Sequence, residues 1–143
     1  MSDPAGYSGT PLAQKLGLKD GQRALFIDLP ASLAELAASR QFVESSHITV
    51  AQLGDAAPGY HFIHLFTAAR SVLESLAQPL MNLIARDGMI WVSWPKKAAK
   101  VATDITEDVV RDVVLPIGLV DVKVCAVDET WSGLKLVIRK ELR

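Results

Sequence analysis

The chain is short of several things that would have announced a function. Cysteine occurs once, at Cys125. No disulfide can form within the chain, and a lone thiol suits a reducing, cytoplasmic setting. Excess charge is missing too: Lys+Arg 15 against Asp+Glu 16 leaves a formal net charge of -1. Phosphate backbones and anionic membranes are held by surplus positive charge, so neither nucleic acid nor a membrane is the expected partner. Aromatic residues make up 6%, and the three tryptophans stand apart from any basic stripe on which bases could stack. No apolar run approaches the ~20 residues of a membrane span. The opening MSDPAGYSGT lacks the basic start and apolar core of a signal peptide. Neither a G-x-S-x-G elbow nor a phosphate-binding P-loop is present. His61 and His64 are three apart in a predicted strand, so they face opposite ways and do not share a metal; no metal site is expected.

What remains is an apolar chain of 143 residues, 50% hydrophobic and 22% charged. That is the size of one domain, with enough core to fold without metal or disulfide. Residues 1–10 read as a flexible arm and 11–143 as a single α/β domain. Thr10-Pro11 resembles a helix start, and Gly17 a helix end. RALFIDL, Arg23 to Leu29, is a nearly continuous apolar run, as in a parallel strand covered on both faces. Pro30 stops it. Ser32 and Glu35 make a capping box for a helix reaching about Phe42. His47 to Leu53 and Tyr60 to Phe66 read as the next strands. Ser71 and Glu74 cap a second helix, in which Leu73, Leu76, Leu80, Leu83 and Ile84 recur at helical spacing. Pro79 should kink or split that helix, and Asp87-Gly88 should end it. Met89 to Trp94 is a fourth strand. Asp104 and Glu107 cap a third helix whose buried stripe is Val109, Val110, Val113 and Val114. A hairpin closes the chain: Val120 to Asp128, a turn at Glu129 to Gly133, and Leu134 to Lys140. Val120, Val122, Val124 and Ala126 share one of its faces; Asp121, Lys123 and Cys125 share the other, as on a half-covered sheet.

Strands alternating with helices predict an open, mostly parallel, doubly wound sheet of the Rossmann type, ordered roughly 2-1-3-4-6-5, with the last pair antiparallel. The closing strand, helix and hairpin, together with LGLKDGQRALFID before the first strand, resemble class I S-adenosylmethionine-dependent methyltransferases, with one strand–helix unit fewer in the middle. AGYSGTPLAQKLGL, WVSWPKKAAK and TDITEDVVRDVVLPIGLVDVKVCAVDETWSGLKLVIRK are similar to a family of small bacterial proteins, a domain of unknown function. That second resemblance brings no activity or catalytic residue with it. The first implies a glycine-rich turn after the first strand and an acidic residue after the second, for the cofactor. Here the turn reads Asp28-Leu29-Pro30-Ala31-Ser32, and the second strand ends Gln52-Leu53-Gly54, with Asp55 the nearest acid. Cβ atoms and a missing N–H oppose close approach of backbone to ligand, so no cofactor is expected.

Ligands of such sheets bind outside the carboxyl ends of the strands. That rule selects Asp28, Arg70, Trp94, Lys96, Lys97, Lys100, Asp128, Glu129 and Trp131 as a ligand or partner edge. Lys96, Lys97 and Lys100 beside a helix start suit an anion; alternatively they pair with Asp104, Glu107 and Asp108 on a solvated loop. Asp128 and Glu129 beside Trp131 suit acid/base work; alternatively Asp128 ties a turn and Trp131 covers the core. Cys125 reads as a packed residue. The expected function is a non-enzymatic binding or regulatory domain on a methyltransferase-like framework, its partner an anionic small molecule or a protein, with self-association left open. The alternatives are a small enzyme acting on an anionic metabolite, or a divergent S-adenosylmethionine-dependent methyltransferase. Catalytic residues are not assigned.

Overall fold

A computed structural model describes residues 11–143. The expected arm, 1–10, and the Thr10 cap lie outside them. Six strands form one sheet in the order β2-β1-β3-β4-β6-β5: β1 (Arg23–Ile27), β2 (Glu44–Ile48), β3 (Tyr60–Phe66), β4 (Ile84–Pro95), β5 (Leu119–Ala126) and β6 (Trp131–Ile138). β1 pairs in parallel with β2 and β3, and β3 with β4; β6 is antiparallel to both β4 and β5. The sheet is therefore the open, doubly wound, mostly parallel one that the alternation of runs implies.

Its two faces are covered unequally. On the first face α2 (Arg70–Leu83) and α3 (Glu107–Val114) pack Leu73, Leu76, Leu80, Val110 and Val114 against Leu25, Ile27, Ile63, Leu65, Ile90 and Val92. On the second face the cover is α1 (Leu12–Leu16) and a 3-10 stretch, Ala31–Ala38, whose Leu16, Leu33 and Leu36 meet Phe26, Phe62, Phe66 and Trp91. Gly17 closes α1 at φ 84, a conformation in which a side chain is strained. The Trp91 indole N–H donates to the Leu16 carbonyl at 2.9 Å, fixing that helix end to the sheet.

Several boundaries differ from the sequence pattern, each for a local reason. Residues 31–38 form a 3-10 helix and not an α-helix reaching Phe42. Pro30 is its N-cap, and Ser32 makes no capping bond. The second strand begins earlier, at Glu44. Thr49 then starts a 3-10 turn, Val50–Asp55, in a capping box with Gln52 that pulls these residues out of the sheet. α2 begins at Arg70 without the Ser71 cap, because the Asp104 carboxylate accepts the Arg70 N–H at 2.6 Å. It runs through Pro79 unbroken. Pro79 and Ser75 are both exposed, so the carbonyl that loses its helical donor does so on the wet side. Asp87-Gly88 lies within β4, in an excursion: Ile84 pairs with Tyr60 and Met89 with Phe62, so Ala85 to Gly88 loop out opposite His61. α3 is capped by Thr106, not Asp104. In the hairpin a bulge between Asp121 and Lys123 breaks the expected alternation. Val122 and Val124 are each 51% exposed, whereas Cys125 is packed in the core of the second face.

Candidate functional site

Strand order reverses at β1, which has β2 on one side and β3 on the other. The crevice of a doubly wound sheet opens at such a reversal, here between the carboxyl ends of β1 and β3. Asp28 stands there, exposed, with φ 56. Its own N–H donates to the Ile48 carbonyl at 2.8 Å, which holds the backbone in the turn. A non-glycine residue in the left-handed region is uncommon, and such strain concentrates at functional sites. Thr67 closes the other side, its N–H donating to the Ser93 carbonyl and its hydroxyl accepting from Ala69.

The loops expected to meet do meet: the Lys96 N–H donates to the Thr130 carbonyl at 2.7 Å. Their indoles part company, however. Trp94 is buried on the first face among α2 and α3 residues and offers nothing to a ligand. Trp131 is half-buried on the second face and meets Phe66 edge-on, ring centroids 5.3 Å apart. One oxygen of Asp128 accepts the N–H groups of Thr130 and Trp131, at 2.8 and 2.7 Å, so this carboxylate ties the turn. Glu129 is exposed beside it. The Arg70 guanidinium goes to Glu74.

The lysine loop pairs with none of its three expected acids. Asp104 serves the α2 N-terminus, while Glu107 and Asp108 pair with Arg111, which also reaches Asp121. Among the described residues Lys96, Lys97 and Lys100 form no ion pair. The α3 N-terminus is closed by Thr106 and carries Glu107 and Asp108 in its first turn, which disfavours an anion there.

One polar pair is buried within the aromatic face of the sheet. His64, wholly buried, contacts the Ser93 hydroxyl through Nε2 at 2.7 Å and stacks on Phe66 at 4.0 Å. Its Nδ1 has no partner. Burial pushes the ring down to a pKa of about 3, so it is neutral. The alternation Phe62, His64, Phe66 along β3 is the pattern that places it on the aromatic face. His61 is exposed, and its Nδ1 accepts the Arg23 N–H. Among the described residues no three of His, Cys, Asp and Glu gather as a metal-binding group, and no helix is long and apolar enough to cross a membrane.

A separate cleft of about 410 Å³ lies between residues 50–58 and α2, walled by Leu53, Ala56, Leu76, Pro79 and Leu83. No charged residue lines it, so it is not the charged pocket that would mark an enzyme acting on an anionic metabolite.

No protein-family model matches the chain, and no curated protein matches it. Solved structures do. A SAM-dependent methyltransferase of Aquifex aeolicus matches with a TM-score of 0.65 at 14% identity, over 87% of this chain and 86% of its own. The magnesium protoporphyrin IX methyltransferase ChlM of Synechocystis PCC 6803, solved with bound SAM, matches at 0.62 and 13% over 90% and 74%. The N-methyltransferase NodS of Bradyrhizobium japonicum WM9 matches at 0.60 and 15% over 90% and 93%. These three neighbours are methyltransferases. At such identities they establish architecture: the chain has the fold of the class I S-adenosylmethionine-dependent methyltransferases.

Proposed function

We propose that this chain is a divergent S-adenosylmethionine-dependent methyltransferase whose cofactor site is rebuilt around Asp28. The observation that carries the reading is that carboxylate, exposed and held left-handed at the reversal point of a methyltransferase-fold sheet. A carboxylate there can accept hydrogen bonds from an ammonium or hydroxyl group of a ligand. The remaining residues fit the cofactor poorly. Leu29, Ala31 and Ser32 carry side chains where glycine would let backbone N–H groups approach, and Pro30 has no N–H. β2 ends at Ile48 without an acid, and Asp55 lies at the far end of the following turn.

Calorimetric titration with S-adenosylmethionine and with its demethylated product tests the reading. Micromolar binding of either, weakened at least tenfold in Asp28→Ala, is expected. No heat from either ligand would overturn it.

A further inference from the structure

On the second face, β5 and β6 bring Lys123 and Lys135 into direct register across an antiparallel pair. Side chains so placed stand on the same face with Cβ atoms ~5 Å apart, and like charges in that position are destabilising. Lys135 in turn lies opposite Trp91 of β4, so indole, lysine and lysine form a row across three strands. Lys19 comes three residues after Leu16, whose carbonyl accepts the Trp91 indole N–H, and so adds a third ammonium on the same side of the sheet. Burial, then the charges of Lys123 and Lys19, push the Lys135 ammonium below the ordinary lysine value.

Nothing among the described residues answers this charge. All five ion pairs there are made by arginines: Arg23 with Glu44, Arg70 with Glu74, and Arg111 with Glu107, Asp108 and Asp121. The bulge between Asp121 and Lys123 is what sets Lys123 opposite Lys135, and it leaves Asp121 on the first face, opposite Leu136, where Arg111 takes it at 3.0 Å. Three convergent positive charges in a chain of net charge -1 are a local arrangement and not a by-product of composition.

We propose that the second face of the β5–β6 hairpin binds a phosphate-bearing small molecule among Lys19, Lys123 and Lys135. Lysine ammoniums are compact point charges that suit the oxygens of a phosphate dianion, and such a ligand removes the repulsion that the bare strands carry. A patch of three lysines is too small for the extended basic stripe that nucleic acid requires. The site is separate from the crevice at Asp28 and does not depend on that reading.

The probe is inorganic pyrophosphate, titrated calorimetrically at low ionic strength into wild type and into the double variant Lys123→Gln/Lys135→Gln. The expected result is one site in wild type and at least a tenfold loss of affinity in the variant, with the variant melting no lower than wild type. In nitrogen–proton spectra the Lys123 and Lys135 amides should move on titration. The proposal is overturned by no binding to wild type, or by undiminished binding to the double variant. It also fails if affinity is lost instead in Lys96→Gln/Lys97→Gln, which would put the phosphate at the carboxyl edge. Binding of short single-stranded DNA without binding of pyrophosphate would likewise overturn it, in favour of a nucleic-acid surface.

Discussion

At the scale of the residue, Asp28 holds a left-handed backbone and His64 a buried neutral ring, and each leaves a signature in stability. A left-handed conformation costs a non-glycine residue roughly 1–2 kcal/mol, whereas glycine adopts it freely but loses more chain entropy on folding, by about 0.5–1 kcal/mol. Asp28→Gly should therefore gain up to ~1 kcal/mol in urea unfolding while losing whatever Asp28 binds; a loss of stability would make Asp28 a structural residue. His64 gives a pH signature. Its folded pKa of about 3 lies below the ordinary 6.5, so the unfolded chain takes up the proton first. Its contribution is intact above pH 6.5 and is lost as pH falls toward 3, at about 1.4 kcal/mol per pH unit. Arg23 and Arg111 hold the Glu44 and Asp121 carboxyls below their ordinary values of 4.5 and 3.8, so these add their own loss only under about pH 4.5. Between pH 6.5 and 4.5, urea midpoints of His64→Phe/Ser93→Ala should fall less steeply than those of wild type. Replacing both partners of a buried hydrogen bond by apolar groups is close to neutral at pH 7. Parallel slopes would show that His64 does not stay neutral.

At the scale of the element, legibility followed burial. The runs Ala24 to Ile27 and Tyr60 to Phe66 are apolar because both faces of those strands are covered, and both strands were plain in the sequence. β2 is Glu-Ser-Ser-His-Ile at the end of the sheet, half-covered and polar, so the apolar pattern set that strand too late, at His47 to Leu53. Capping patterns were a poorer guide. Ser32 and Ser71 have the spacing of capping boxes, yet neither caps, because Pro30 precedes one and Asp104 reaches the other from a distant loop. A side chain arriving from 34 residues away leaves no local pattern. Denaturation of alanine variants separates these cases. Ser32→Ala and Ser71→Ala should stay within about ±0.5 kcal/mol of wild type, as surface changes do. Asp104→Ala and Thr106→Ala should each cost ~1 kcal/mol, the usual loss of an N-cap. A large cost at Ser71 would mean that α2 starts as its sequence suggests.

At the scale of the whole molecule, the order 2-1-3-4-6-5 was readable because right-handed crossovers and a short final hairpin leave few other arrangements. The candidate edge was readable only as a neighbourhood. The Trp94 and Asp128 loops do meet, but register decides which face each indole enters, and a sequence does not show register across strands. The lysine row was hidden for the same reason: Lys123 and Lys135 become neighbours only through pairing. Register also sets how the second face is closed. α1 has five residues, far below the ~12–15 at which an isolated helix holds together in water. It exists because Leu16, wholly buried, docks onto the aromatic face, and because the Leu16 carbonyl accepts from Trp91. Leu16→Ala should thus act on more than one side chain. The cavity alone costs about 2–5 kcal/mol, and a weakened dock lets water reach Trp91. Leu73→Ala removes an equally buried leucine from the first face, where a 14-residue helix stays seated. Urea unfolding should show a loss in both variants, while native-state tryptophan emission shifts to the red in Leu16→Ala alone. Unshifted emission in Leu16→Ala, with a cost under ~1 kcal/mol, would mean that α1 is not what seals that face.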